Sequence, residues 1–157
     1  MTARDRLAAA ADRLELAELL HRYAWAIDSG DWALLAQVFT EDAEADFSSV
    51  GQYVEGESTT RGRDAIVAWL RAALAPFPDV LHFMSNQLVE IDGDRARTLT
   101  YMHVLHMSMG GIYHGEAVRT RDGWRLRRLR LEERSFDEAA ERLRGHMQAA
   151  APAGRGS

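Results

Sequence analysis

Three glycine-marked interruptions in the second half of the chain, Asp92-Gly93-Asp94, Gly110-Gly111 and Asp122-Gly123, constrain the fold more than any other feature. They divide four β-rich runs, Leu81 to Ile91, Arg95 to Met107, Ile112 to Thr120 and Trp124 to Glu133. Short links of Gly and Asp supply the positive-φ residues of tight hairpins, so the four runs are expected to fold as an antiparallel meander. Such a sheet must cover one apolar face, and the first half of the chain is patterned to cover it. Residues 4–29 carry apolar side chains at 16, 19, 20, 23, 24 and 27, the recurrence of a helix with one face packed inward, and Ser29-Gly30 ends it. Asp31 is placed to cap a second, short helix running to about Phe39, and Arg63 to Leu74 forms a third, closed by Pro76 and Pro78. Glu44 to Val50 is strand-like, and the polar stretch from there to Gly62 reads as a loop with room for one more short strand. Phe136 to about Gln148 is patterned as a terminal helix capped by Ser135, and Ala149 to Ser157 as a disordered tail. The predicted architecture is one α+β domain over 1–148, helices on one face of a curved antiparallel sheet, with a pocket between the layers.

A chain of 157 residues is long enough for one core with a cavity for a small molecule. Its 46% apolar and 27% charged composition is that of a globular domain. A formal charge of -5 leaves no broad basic surface for nucleic acid, the local run Arg125, Arg127, Arg128 and Arg130 apart. Without cysteine there is no disulfide, thiolate metal site or cysteine nucleophile. The opening Met-Thr-Ala-Arg-Asp-Arg builds no signal-peptide apolar region, and no stretch reaches membrane-spanning length, so no membrane partner and a cytoplasmic location are expected. No phosphate-cradling glycine loop or dinucleotide fingerprint is visible, so no cofactor is expected.

Asp28 stands at the edge of the apolar stripe of the first helix, where a carboxylate must be paired, hydrogen-bonded or functional. His82, in Val80-Leu-His-Phe-Met-Ser-Asn86, begins an apolar strand and is expected to be partly buried. Two roles compete for it: a core histidine satisfied by one partner, or a general base whose tautomer Asp28 holds. His106 and His114 flank Gly110-Gly111 and are candidate neighbours across a turn, while His103 and His106 face opposite sides of a regular strand, which disfavours a metal site. Strict alternation breaks at Arg127-Arg128, so a bulge is expected to turn one of them toward the pocket, where Arg128 would bind an oxyanion or departing group. The competing role is a solvated arginine paired with Glu132 or Glu133. Most aromatic and methionine side chains belong to the core; Tyr23, Phe47, Trp69 and Met84, with Tyr53, Asn86, Tyr101 and His114, form the candidate lining of a ligand chamber.

The run Tyr23-Ala-Trp-Ala-Ile-Asp28-Ser-Gly-Asp31-Trp32, then Phe39-Thr-Glu-Asp42, the helix from Gly62 and the closing Asp122-Gly-Trp124 strand resemble the SnoaL-like branch of the nuclear transport factor 2-like (NTF2-like) superfamily. The resemblance runs from about residue 10 to 135 and implies a cone-shaped scaffold that hosts dehydratases, dehydrohalogenases, isomerases, epoxide hydrolases, cyclases and non-catalytic modules. In pattern it is most similar to scytalone dehydratases and lindane dehydrochlorinases. Asp28 and His82 fall where both carry their Asp-His dyad, and His106 matches the dehydratase's second pocket histidine. His114 falls near its pocket asparagine, and Arg128 is similar to the dehydrochlorinase arginine that assists the departing group. Ile27 and Phe47 stand where the dehydratase has two tyrosines that polarise a carbonyl, which leaves Tyr53, Tyr101 or Tyr113 to supply a hydroxyl.

What the resemblance implies is a cofactor-independent lyase, foremost a dehydratase of a hydrophobic cyclic or polyketide-like small molecule. His82 would take the proton, Asp28 would orient it, and His106, His114 or Arg128 would stabilise the oxyanion or protonate the leaving group. The alternatives are a polyketide cyclase or isomerase using the same base, and a non-catalytic ligand-binding or assembly module. Because the uncovered sheet face needs a partner, a homodimer or homotrimer is expected.

Overall fold

The computed structural model describes residues 2–53, 57–105 and 109–135, without the side chains of 52, 53 and 135. Helix α1 (Ala3–Ser29) opens on a capping box, Thr2 and Asp5 each accepting the other's backbone N–H, and closes at Gly30, whose φ of 72° requires a residue without a side chain. Leu16, Leu19, Leu20, Tyr23 and Ile27 form its buried stripe. Then follow α2 (Trp32–Val38), capped by the Asp31 carboxylate, β1 (Phe39–Asp46), a 3-10 turn over Ser48–Tyr53, β2 (Thr59–Arg61) and α3 (Arg63–Leu74). The strands β3 (His82–Asp92), β4 (Arg95–Val104), β5 (Met109–Thr120) and β6 (Gly123–Ser135) complete the described chain. The terminal helix and tail expected beyond Ser135 lie outside the described residues. Among the described residues no helix is long and apolar enough to cross a membrane.

The six strands make one open sheet in the order β2-β1-β6-β5-β4-β3, with the helices packed on its inner face. The meander expected from the turns is β3 to β6, antiparallel throughout. Next to it β1 pairs with β6 in parallel, so the sheet as a whole is mixed. Parallel partners are joined by long crossovers rather than hairpins, so no turn residue advertises that pairing.

Two boundaries differ from the expected ones. The first strand occupies Phe39–Asp46 rather than Glu44 to Val50, because the Asp46 carboxylate accepts the Ser48 N–H at 2.9 Å and turns the chain out of the sheet. Gly110 and Gly111 are not a turn; they lie within β5, opposite His103 and Met102. A Cβ on Gly111 would stand 2.4 Å from the Glu132 carbonyl oxygen, so the glycine admits the neighbouring backbone of β6.

Along β4 the alternation is strict, Ala96, Thr98, Thr100, Met102 and Val104 facing inward and Arg97, Leu99 and Tyr101 outward. In β6, Glu116 pairs with Arg128 and Ala117 with Leu126, which leaves Arg127 as an extra residue. That bulge rephases the strand so that Trp124, Leu126, Leu129 and Leu131 all reach the core. The bulge was legible in the sequence; its effect is to keep both arginines outside. Two positions along from the bulge, Arg119 on β5 grips Asp12 of α1 with two bonds of 2.8 and 2.7 Å and lies 4.5 Å above the Trp124 ring, whose Nε1–H also reaches Asp12. This cluster locks the first half of α1 to the sheet.

Candidate active site

Asp28 lies in the last turn of α1, at the carbonyl end where the helix dipole disfavours an anion and where no basic residue offsets it. Its compensation comes from the start of β3. The carboxylate accepts the imidazole Nδ1–H of His82 at 2.5 Å through Oδ1 and the backbone N–H of the same residue at 2.8 Å through Oδ2. Both side chains are nearly enclosed, 12% exposed for Asp28 and 7% for His82. A carboxylate accepts only, so the Nδ1 proton stays on His82 and the neutral ring presents the lone pair of Nε2. Among the described residues Nε2 has no hydrogen-bonding partner. Each charge-assisted bond of this type is worth about 1.5–3 kcal/mol, enough to hold the ring in one orientation.

Deeper along the same helix, Tyr23 meets Tyr113 of β5, hydroxyl to hydroxyl at 3.2 Å. Both rings are buried and stand edge to face, 5.4 Å between centroids. Burial drives the Tyr113 phenol up to about 12 and, with Tyr113 beside it, the Tyr23 phenol well above its ordinary value; the negative charge of Asp28 pushes both the same way. Both therefore remain protonated donors at neutral pH. Thr100, the cross-strand partner of Tyr113, is 1% exposed. Among the described residues its hydroxyl, like that of Thr98, has no hydrogen-bond partner.

The other candidates separate into three groups. Met84 is two residues beyond His82 on the inner side of β3, packed against the core. Phe47 is buried and stacks on Trp69 at 4.7 Å, while the Trp69 indole N–H donates to the Glu57 carbonyl, so both serve the junction of α3 with the sheet. His114, Arg128, Tyr101 and Asn86 do not face the helices. In a strand adjacent residues point to opposite sides, and with Tyr113 inward His114 is outward, its Nε2 2.9 Å from Glu132. Arg134 and His114 together hold the Glu132 carboxyl below its usual range. Arg128 is half exposed and pairs with Glu44 at 3.2 Å and Glu116 at 3.6 Å rather than with Glu132 or Glu133. Tyr101 is half exposed on the outer side of β4. Asn86 sits exposed at a bulge of β3 with φ of 50°, a left-handed conformation that asparagine tolerates, so its role is to kink the strand. His106 lies outside the described residues, as does the side chain of Tyr53.

On the outer face Leu88, Leu99, His114, Arg128 and Arg130 border a groove of about 620 Å³ that holds neither Asp28 nor His82. Among the described residues no three histidine or acidic side chains converge as metal ligands. The residues not singled out in advance are Thr100 and Thr98, together with the bonding of Tyr113 to Tyr23. Their signal was parity: threonine at 98 and 100 shares one face with Ala96 and Met102, a face that the pattern alone did not assign to the interior.

The sequence model of SnoaL-like domains matches residues 8–130. An uncharacterized protein of Mycobacterium tuberculosis is 34% identical over 136 residues, covering 81% of this chain and 88% of that protein. Among solved structures, an NTF2-like protein with a cystatin-like fold from Novosphingobium aromaticivorans superposes with a TM-score of 0.67 at 29% identity, over 88% of this chain and 90% of that one. The hexachlorocyclohexane dehydrochlorinase LinA-type3 of Novosphingobium barchaimii superposes with a TM-score of 0.65 at 20% identity, over 86% of this chain and 92% of that one.

Proposed function

The chain belongs to the SnoaL-like family, on an NTF2-like scaffold, and from this premise we propose that it is a cofactor-independent lyase that dehydrates a hydrophobic cyclic β-hydroxy carbonyl compound. The observation that carries the proposal is the two-point grip of Asp28 on His82, which fixes the ring and leaves Nε2 without a partner among the described residues. A structural histidine needs one bond to be satisfied; here one carboxylate fixes both its ring and its backbone, the arrangement of an oriented base.

In the proposed reaction His82 Nε2 takes the proton from the carbon next to the carbonyl, and the C–H electron pair moves into an enolate. That pair then forms the carbon–carbon double bond as the β C–O bond breaks. The departing hydroxide takes that proton back from the His82 imidazolium and leaves as water, so the base returns to its starting state. Asp28 stabilises the imidazolium while it exists. The dehydrochlorinase on the same scaffold is named for an elimination, with chloride in place of hydroxide. A cyclase would use the same proton abstraction and retain the oxygen, so product mass separates the two.

The test is turnover of a panel of cyclic β-hydroxy ketones, read as enone absorbance and loss of water by mass. Wild-type protein is expected to convert at least one member, and His82→Ala to lower kcat/KM by roughly 10²- to 10⁴-fold with the fold intact by circular dichroism. Near-normal kcat/KM in His82→Ala overturns the assignment.

A further inference from the structure

Helix α1 carries two apolar stripes. The one over Leu16, Leu19, Leu20, Tyr23 and Ile27 packs into the core. The second advances in alternating steps of four and three residues, Ala3, Leu7, Ala10, Leu14, Ala17 and His21, so that one heptad position holds a large side chain and the other an alanine. All but the half-buried Ala17 are exposed. Leu7 and Leu14, at 73% and 72%, are the most exposed large apolar side chains among the described residues. The first side-chain bonds from α1 to the sheet are those of Asp12 to Arg119 and of Arg13 to the Val89 carbonyl. Ahead of them residues 3–11, about 13 Å of helix, are exposed apart from the half-buried Ala9. A helical piece this short is marginal by itself, so packing against a partner stabilises it.

We propose that the exposed stripe of α1 pairs antiparallel with the same stripe of a second copy of the chain, at a contact separate from the outer sheet face. The stripe is self-complementary. With Ala10 set against Leu14 of the second copy, Leu7 meets its Ala17 and Ala3 meets its His21, and symmetry repeats each layer in reverse. Every layer therefore joins one large side chain to one alanine, which lets the two helices approach closely. Charge agrees with this register. Arg4, which makes no ion pair among the described residues, comes beside Glu18 of the second copy, and the symmetric pair forms too. Glu18 is exposed and bonded only along its own helix, to Arg22 at 2.7 Å. Sliding by one heptad, to set Leu7 against Ala10, keeps the large-to-small layers but places Arg6 opposite Arg13 of the second copy and Arg4 opposite an alanine, so the charges select against it. Two leucines per chain bury less than a stable interface requires. The contact is therefore transient, with a Kd on the order of hundreds of micromolar, and leaves the mass at micromolar concentration unchanged.

Sedimentation equilibrium of the full chain from about 10 to about 500 µM is expected to show its mass rising to at least about twice the dilute value. Arg4→Glu and Glu18→Arg are each expected to weaken the association about ten-fold, and the double variant to restore it, with circular dichroism unchanged. Leu99→Arg, which alters the outer sheet face instead, should keep the rise. A constant mass overturns the proposal, and so does a rise lost in Leu99→Arg or a double variant no better than the single ones. The chain has no cysteine, so an introduced thiol reports on its own position. At about 10 µM, where the pair is dissociated, Leu14→Cys should react with a maleimide as an open thiol. Protection there would put another part of the same chain on the stripe and overturn the proposal as well.

Discussion

One carboxylate, Asp28, receives both the ring N–H and the backbone N–H of His82, at 2.5 and 2.8 Å, across 54 residues of chain. The backbone bond places the strand and the side-chain bond places the ring, so the last turn of α1 and the start of β3 are registered by the same two oxygens that define the tautomer. Displacing either element would disturb both.

Replacing Asp28 by Asn preserves shape but offers an amide that can donate as well as accept. The expected result is weak residual turnover, about 10²- to 10⁴-fold below wild type in kcat, because the imidazole remains without its anionic partner. Nitrogen-15 NMR of the histidines checks the cause: the Nδ1–H signature of His82 should be lost in Asp28→Asn and present in wild type.

The Asp12–Arg119–Trp124 cluster makes a stability prediction with a definite sign. Arg119 holds the Asp12 carboxyl below its usual value of 3.8, so its stabilisation is present above that pH and is lost as pH falls through the depressed folded value. Asp12→Ala is expected to cost about 1–3 kcal/mol at pH 7, and the gap in Tm between variant and wild type should close on acidification below about pH 3.8. A gap that stays constant down to pH 2 would contradict it.

Burial of the phenol pair predicts the alkaline limb. With Tyr113 pushed up to about 12, the unfolded chain releases its proton first as pH passes 10, so the stabilisation is whole below 10 and is lost as pH rises to about 12. Absorbance at 295 nm should show the buried phenols ionising only near or beyond that upper value, and Tyr113→Phe should reduce the amplitude of that late step while Tyr23 still contributes to it.

On the outer face Leu88 and Tyr101 are 67% and 51% exposed, beside Leu99, with acidic and basic side chains around them. A homodimer or homotrimer through this face is the expected state, read by light scattering as two or three times 17.6 kDa at micromolar concentration. Leu99→Arg should shift the mass to one chain and leave the circular dichroism unchanged. A wild-type protein that scatters as a single chain contradicts the expectation.

Local patterning in the sequence was enough for the helices and for the antiparallel meander, because periodicity and turn residues act within a few positions of one another. Ser29-Gly30, Pro76 and the Gly93 and Gly123 turns are read from neighbours alone, and so are the buried edge of Asp28 and the phase break at Arg127. Which side of a strand became the interior was not local. A shift of one residue exchanges the faces, and it separates Tyr113, now bonded to Tyr23, from His114, now outside with Glu132. The same phase carried Arg128 to the surface ion pairs and Thr100 into the core. Gly111 was misassigned because a glycine that admits a neighbouring strand and a glycine that makes a turn are the same letter until that strand is in place. Only packing α1 on the sheet brought Asp28 to His82, since the contact depends on a helix end and a strand start that the chain joins by a long detour and the core holds together.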